Sequence, residues 1–262
     1  MDMHEMVEMT RELARQKPFL KLASLFSPER VHGFSKIRVG SEYDGGYVMI
    51  DDFDAIDLAL SFGVETNADW DLELANRGIL VRQYDHSIER PPATHERLQF
   101  FRSKIISSPG DGEGASIASI LSEVPPSRDA SIILKIDIEG DEWPVFDACS
   151  VADLERFSQI VVEFHNFSLG RDPAWLNRAT RVMEKLRAKF GVYHVHANNW
   201  SAMSAIGNVY FPDTLEVSFA HRGRYALEAS SELFPTALDK ANNPLCPDLY
   251  LGAFKFAQIG EA

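Results

Sequence analysis

Ile132-Ile133-Leu134-Lys135-Ile136-Asp137-Ile138-Glu139-Gly140-Asp141-Glu142-Trp143 is the stretch on which the reading of this chain turns. Its first half is a β-branched, apolar run, the pattern of a strand covered on both faces of a parallel sheet. Asp137 and Glu139 follow where that strand ends, Gly140 permits a sharp exit, and Trp143-Pro144 open a helix whose first turn tolerates proline. In open α/β sheets ligands bind beyond the carboxyl ends of the strands, so polar chemistry is expected at this junction. The plainer alternative makes both acids solvated loop residues that cap the next helix.

Strand and helix alternate on either side of this stretch. Upstream, 58–64 reads as a strand ending in a glycine turn, 69–75 as a short helix closed by Gly78, and 79–85 as a strand with an acid at its end. Residues 100–106 supply a third strand and 116–121 a helix. Downstream, 158–164 is a strand running into Glu163-Phe164-His165-Asn166, 173–190 a long helix and 192–196 a sixth strand. The alternation predicts an α/β fold, a doubly wound, Rossmann-like parallel sheet with helices on both faces. Residues 215–219 follow too closely for a crossover helix, so they are expected as an antiparallel seventh strand.

Before this core, Lys36-Ile37-Arg38-Val39-Gly40 and Asp44-Gly45-Gly46-Tyr47-Val48-Met49-Ile50 read as two strands joined by a glycine turn. Residues 4–26 have helical apolar spacing, with a break expected near Pro18. Such a helix can cover its own sheet, pack on a partner subunit or lid the site. The expected organisation is an amino-terminal helical arm, 1–35, and one domain, 36–262. That domain ends in a wrapping segment with a short strand over 249–254.

The 262 residues carry 26 basic and 39 acidic side chains, a formal net charge of −13. That balance argues against nucleic acid or an anionic membrane as partner. Arg178, Arg181, Lys185, Arg187 and Lys189 could form a local basic patch, but equally a solvated helix face. Cys149 and Cys246 are far apart and lack metal-type spacing, so a reducing cytoplasm is the simpler context. The first sixteen residues are charged throughout, and no apolar run approaches bilayer length. A soluble, cytoplasmic protein is expected.

Gly63 lies in the first strand-to-helix turn, Ser61-Phe62-Gly63-Val64-Glu65-Thr66-Asn67, and the dinucleotide fingerprint G-x-G-x-x-G is absent. Asp85, twenty-two positions on, stands where an acid accepts both hydroxyls of a ribose. A nucleoside without a pyrophosphate suits this pair better than NAD, and S-adenosylmethionine is the obvious candidate.

The segment Lys135-Ile136-Asp137-Ile138-Glu139-Gly140-Asp141-Glu142 resembles the signature of FkbM-type S-adenosylmethionine-dependent methyltransferases. Asp44-Gly45-Gly46-Tyr47-Val48, Ser61-Phe62-Gly63-Val64, Val162-Glu163-Phe164-His165, His196-Ala197-Asn198-Asn199 and Leu215-Glu216-Val217-Ser218 are similar to segments of its methyltransferase-24-like branch. The resemblance runs from about residue 37 to 219. It implies a seven-stranded methyltransferase sheet, with Gly63 under the cofactor's methionine moiety and Asp85 on its ribose. His86, Ser107 and Ser108 would lie near the adenine, and Asp137 near the amino group or the reacting centre. Glu65 and Asn67 depart from the family, in which an Asn and a second Gly commonly follow the turn glycine.

Methyl transfer to a hydroxyl needs an in-line approach and a base. Glu139, Glu163 and His165 fall at the carboxyl ends of neighbouring strands, and His165 is the best base on its intrinsic pKa. Asp137, Glu163 and His165 could instead hold a divalent metal such as magnesium, with His196 or Glu216 nearby. The expected activity is O-methylation of a sugar or other hydroxylated small molecule. A nicotinamide-dependent oxidoreductase and a non-catalytic binding module on the same fold are the alternatives.

Overall fold

The computed structural model of the protein describes residues 3–108, 110–125 and 131–256. In chain order it begins with helix α1 (Met3–Ser24), strand β1 (Glu29–Val31), the hairpin β2 (Lys36–Gly40) and β3 (Gly46–Ile50), then β4 (Leu58–Phe62) and α2 (Asp69–Asn76). Next come β5 (Leu80–Tyr84), β6 (Leu98–Phe101), α3 (Ile117–Ser122), β7 (Ile132–Ile136), α4 (Glu142–Ala148), α5 (Val151–Leu154) and β8 (Phe157–Phe164). A short 3-10 helix (Phe167–Arg171) leads to α6 (Pro173–Lys189), β9 (Phe190–Ala197), the hairpin β10 (Met203–Ile206) and β11 (Val209–Pro212), β12 (Leu215–His221) and β13 (Leu227–Ala229).

Seven strands form one sheet in the order β6-β5-β4-β7-β8-β12-β9. Neighbours from β6 through β8 pair in parallel, and β12 lies antiparallel between β8 and β9. This is the doubly wound, Rossmann-like sheet that the sequence predicts, with its antiparallel strand where the short connection demanded one. Order reverses between β4 and β7, and the crevice there is the natural ligand position.

Each strand sends alternate side chains to opposite faces. Leu58, Leu60 and Phe62, with Leu134, Ile136, Val162 and Phe164, enter the larger core against the helices. Ala59, Val81, Ile133 and Val161 enter a second core with Trp70 and Leu74 of α2 and Val39, Tyr47 and Met49 of the β2–β3 hairpin. The second face is therefore shared by a helix and a hairpin, where helices alone were expected. Polar side chains on the sheet hold the hairpin backbone: Gln159 Oε1 accepts from Ile50 N–H at 2.9 Å and Ser218 Oγ donates to Val48 O at 2.7 Å.

Three expectations change. Helix α1 continues through Pro18. Phe19, Leu22, Ala23 and Phe26 just beyond it are fully buried. Burying each large side chain contributes about 1.5–3 kcal/mol, which outweighs the roughly 3 kcal/mol of a mid-helix proline. The first half of α1 stays outside, with Met6, Val7, Met9 and Leu13 exposed. The third strand ends at Phe101, where Ser103 N–H turns back to Phe101 O, and Ile105 makes a single bridge to Ala115. Over 249–254 there is a lone bridge, Phe234 to Gly252, since Gly252 (φ 63°) and Phe254 (φ 47°) both leave the extended region.

The basic row on α6 is held by the fold: Arg181 pairs with Asp147, Arg187 with Glu29 and Lys189 with Glu155. Among the described residues no helix is long and apolar enough to cross a membrane.

Candidate functional site

The turn after β4 meets the end of β7 at the reversal of strand order. Gly63 has φ +78°, and a Cβ there would overlap the carbonyl oxygen of Asp137. The crossing of two backbones thus demands this glycine, whatever ligand lies above it. Lys135 Nζ, reaching up from β7, donates to Gly63 O at 2.5 Å and ties the two segments together.

Asp85, at the end of β5, faces the same turn. Its Oδ2 accepts from the N–H groups of Val64 (2.8 Å) and Glu65 (2.9 Å), and its Oδ1 from Ser87 N–H (2.7 Å) and Ser87 Oγ (2.6 Å). Burial raises its pKa, but these donors outweigh burial and hold the carboxyl below its ordinary range. All four acceptor positions of the carboxylate are filled. A ribose diol could bond to it only by displacing Ser87, and the two amides of the glycine turn are not free to receive a phosphate.

The turn after β7 takes two successive positive φ angles, Glu139 at 59° and Gly140 at 105°. Glu142 makes this possible. Its fully buried side chain accepts from Ile138 N–H at 2.8 Å and Gly140 N–H at 3.2 Å, and the same oxygen lies 3.2 Å from His165 Nδ1. Trp143 stacks on Phe164 and donates from Nε1 to His165 O at 2.8 Å. The acid-rich motif therefore serves largely to clamp the end of β8.

There, His165 Nε2 lies 3.1 Å from Glu163 and 3.9 Å from Asp137, with Glu139 at 3.8 Å. Burial works against its charge, yet the hydrogen bonds and charges of Glu142 and Glu163 win and push the pKa up to about 11. An imidazolium has no lone pair for a further proton, so the base role expected of His165 does not follow from this geometry. Burial, reinforced by neighbouring Glu163, raises Asp137 well above the carboxylate range. Tyr47 of the hairpin donates to Asp137 Oδ2 at 3.3 Å.

Two adjoining cavities open here. One has apolar walls from Tyr84, Ile105 and Ile138 beside Asp85. His86 and Ser103 also line it; Ser107 and Ser108 do not, and Ser108 bonds instead to Asp111. The other is polar, walled by Asp44, Asn67, Lys135 and Glu163. Gly63, Glu65, Asp137 and Glu139 border both. Glu139 projects into the opening with its side chain 75% exposed.

The expected metal set, Asp137, Glu163 and His165, does not converge as one group. Asp137, Glu142 and His165 offer ligand atoms within 4.8 Å of one another, and so, separately, do Asp44, Glu163 and Glu216. Tyr47, Lys135 and Glu142 were not singled out from sequence, although each lies in a segment that carried the resemblance. Asp44 and Glu216 sit 172 positions apart in the chain, and no spacing links them.

No protein-family model matches the chain, and no curated protein matches it. Among solved structures it is similar to a protein of Anabaena variabilis ATCC 29413 described as a methyltransferase from an antibiotic biosynthesis pathway (13% identity, 58% of this chain, 62% of that one, TM-score 0.28). The chain thus spans less than two thirds of that protein. It is also similar to a chain of a fibrillarin/Nop5p complex (11% identity, 74% and 98% covered, TM-score 0.35) and to the antibiotic-resistance methyltransferase Kmr (14%, 71% and 100%, TM-score 0.30). The strand order, not these likenesses, carries the fold.

Proposed function

We propose that the protein is an S-adenosylmethionine-dependent methyltransferase acting on a hydroxyl of a sugar or other polyol-like small molecule. The observation that carries this reading is the two-lobed crevice whose glycine-turn amides are already bonded to Asp85 and whose rim is carboxylate. A dinucleotide would bring a pyrophosphate to amides that are taken and to acids that repel it. A nucleoside bearing a sulfonium and an ammonium meets complementary charge.

Tyr84, Ile105 and Ile138 would hold the nucleoside, with Asp85 taking its ribose in place of Ser87, and Asp137 and Glu139 would hold the cationic end. When bound, S-adenosylmethionine supplies an electrophilic methyl: the acceptor oxygen's lone pair forms the new C–O bond as the C–S bond breaks and its electron pair stays on sulfur. Asp137 borders both lobes, and its raised pKa makes it the stronger base once the cofactor's positive charge beside it favours the ionised form; it would then take the acceptor's proton, with Tyr47 orienting it. Glu142 and His165 fix the wall on which Glu163 stands.

Calorimetry with S-adenosylhomocysteine and with NADH, followed by turnover on a panel of polyols, tests the proposal. Binding of the first alone is expected. Asp137→Asn should lower turnover by about 10²–10⁴-fold with cofactor and acceptor both saturating, so that its weaker hold on the cofactor's ammonium does not enter. NADH binding in place of S-adenosylhomocysteine would overturn the reading, and cofactor binding without turnover of any acceptor would favour a non-catalytic module.

A further inference from the structure

Ser61 on β4 pairs in register with Gln83 on β5 at one side and with Lys135 on β7 at the other. The three polar side chains therefore form a row on one face of the sheet. Two positions earlier on each strand, the same face carries Ala59, Val81 and Ile133, which enter the second core with Trp70 and Leu74 of α2. Asp71 of α2 faces the polar row. Burial raises its pKa, and the charge of Lys135, the hydroxyl of Ser61 and the amide of Gln83 act against that rise. Four side chains from four elements thus meet beneath the glycine turn.

They meet without closing on one another. Ser61, Asp71 and Gln83 are fully buried. Yet Ser61 Oγ, both carboxylate oxygens of Asp71 and both amide atoms of Gln83 have no hydrogen-bond partner among the described residues. Lys135, 5% exposed, donates from Nζ to Gly63 O at 2.5 Å, and among the described residues it forms no ion pair with Asp71. Its ammonium has further protons to place. Buried polar groups are almost always bonded, either to protein or to ordered water.

Charge decides what suits this row. It holds one carboxylate and one ammonium, so a cation would lie against Lys135 and an anion against Asp71, in an interior where like charges repel strongly. A small neutral molecule that both donates and accepts meets every group present. Asp71 accepts from it, Lys135 donates to it, and either setting of the Gln83 amide serves. Buried waters typically make about three such bonds.

We infer that Ser61, Asp71, Gln83 and Lys135 form a binding site for internal water behind the glycine turn. The water links α2 to the lysine that holds Gly63 O, and that lysine also lines the polar lobe. Asp71 is thereby a positioning residue. Through the water and Lys135 it steadies the turn at Gly63, whose next two amides are those bonded to Asp85. The site stands whichever cofactor or acceptor the crevice takes.

Crystallography of the wild-type chain, at a resolution that shows ordered solvent, tests the site directly. Density for water is expected, bonded to the Asp71 carboxylate and to Lys135 or Gln83. Direct hydrogen bonds from Ser61 and Gln83 to Asp71 with no water between, or a direct Asp71–Lys135 ion pair, would overturn the assignment. Hydrogen exchange tests the link to the turn. In Asp71→Leu the amides of Val64 and Glu65 should exchange about tenfold faster than in Asp71→Asn, which keeps a polar partner for the water. Amides of β9 should exchange alike in both variants. Equal exchange at the turn in the two variants would remove the positioning role. The wild-type density decides the water site even where Asp71→Leu fails to fold.

Discussion

At the scale of single residues, the chain repeatedly fixes a histidine between acids and lets the surroundings set its charge. His196 lies between Glu216 and Asp248; burial opposes its charge, but these acids push its pKa up to about 10. His194, two residues earlier, goes the other way, because burial outweighs its bond to Asp239 and lowers its pKa. The contacts agree with a neutral ring: Nε2 is 2.7 Å from Asp239 Oδ1, and Nδ1 is 3.4 Å from the Lys36 ammonium, which can only donate. Burial would raise Asp239, yet the bond from His194 wins and holds it at about 2. Its folded pKa is thus below the unfolded value near 3.9. The carboxylate's stabilisation, about 2–3 kcal/mol, is complete above that value and is lost as pH falls towards the folded pKa. Urea denaturation should show the gap between wild type and Asp239→Asn shrinking by roughly half from pH 6 to pH 3. A gap independent of pH would mean that Asp239 is not held as a carboxylate there.

At the scale of elements, α1 joins two different environments in one helix. Phe26, just past its end, packs edge-on against Phe164, Phe167 and Phe211, and Phe19 packs edge-on against Phe211. Glu12 accepts from Gly207 N–H at 3.0 Å and docks the middle of the helix on the β10–β11 turn. Phe26→Ala should therefore destabilise the protein by about 3–5 kcal/mol, whereas Met9→Ala, on the exposed half, should stay within about 0.5 kcal/mol. Equal effects on the denaturation midpoint would contradict this division of the helix. The β2–β3 hairpin is the second such element. Bound to Gln159, Tyr193 and Ser218, it brings Asp44 and Tyr47 over strand ends that belong to distant parts of the chain.

At the scale of the molecule, an excess of thirteen negative charges coexists with an acid-walled crevice. Self-repulsion of this kind disfavours the compact state, and salt relieves it by shortening the screening length from about 30 Å at 0.01 M to about 8 Å at 0.15 M. The urea midpoint should rise over that range. A fall would show that surface pairs such as Lys21–Glu184 and Lys189–Glu155 outweigh the net repulsion. The same acidity shapes recognition, since a crevice bordered by Asp44, Glu65, Asp137, Glu139 and Glu163 admits cationic or neutral ligands in preference to phosphates.

Local pattern was enough for the sheet. Apolar runs at strand length, glycines where the chain reverses and helical periods between them determine a parallel α/β order, because each signal lies within one element. The antiparallel β12 was legible for the same reason, since the connection before it is too short for a crossover. Gly63, Asp85, Asp137 and Glu163 could be placed at the crevice because strand ends share one edge of such a sheet, whereas His165 lines neither lobe. Their states could not. Asp85's saturation by Val64, Glu65 and Ser87, the raised pKa of His165 beside Glu142 and Glu163, and the meeting of Asp44 with Glu216 and Asn242 depend on contacts between remote segments. Burial and charge act through space, so a side chain's pKa and its partners are properties of the packed molecule. The amino-acid order determined which groups reach the crevice; only tertiary structure decided which oxygens are already filled, which proton is held and where three carboxylates converge.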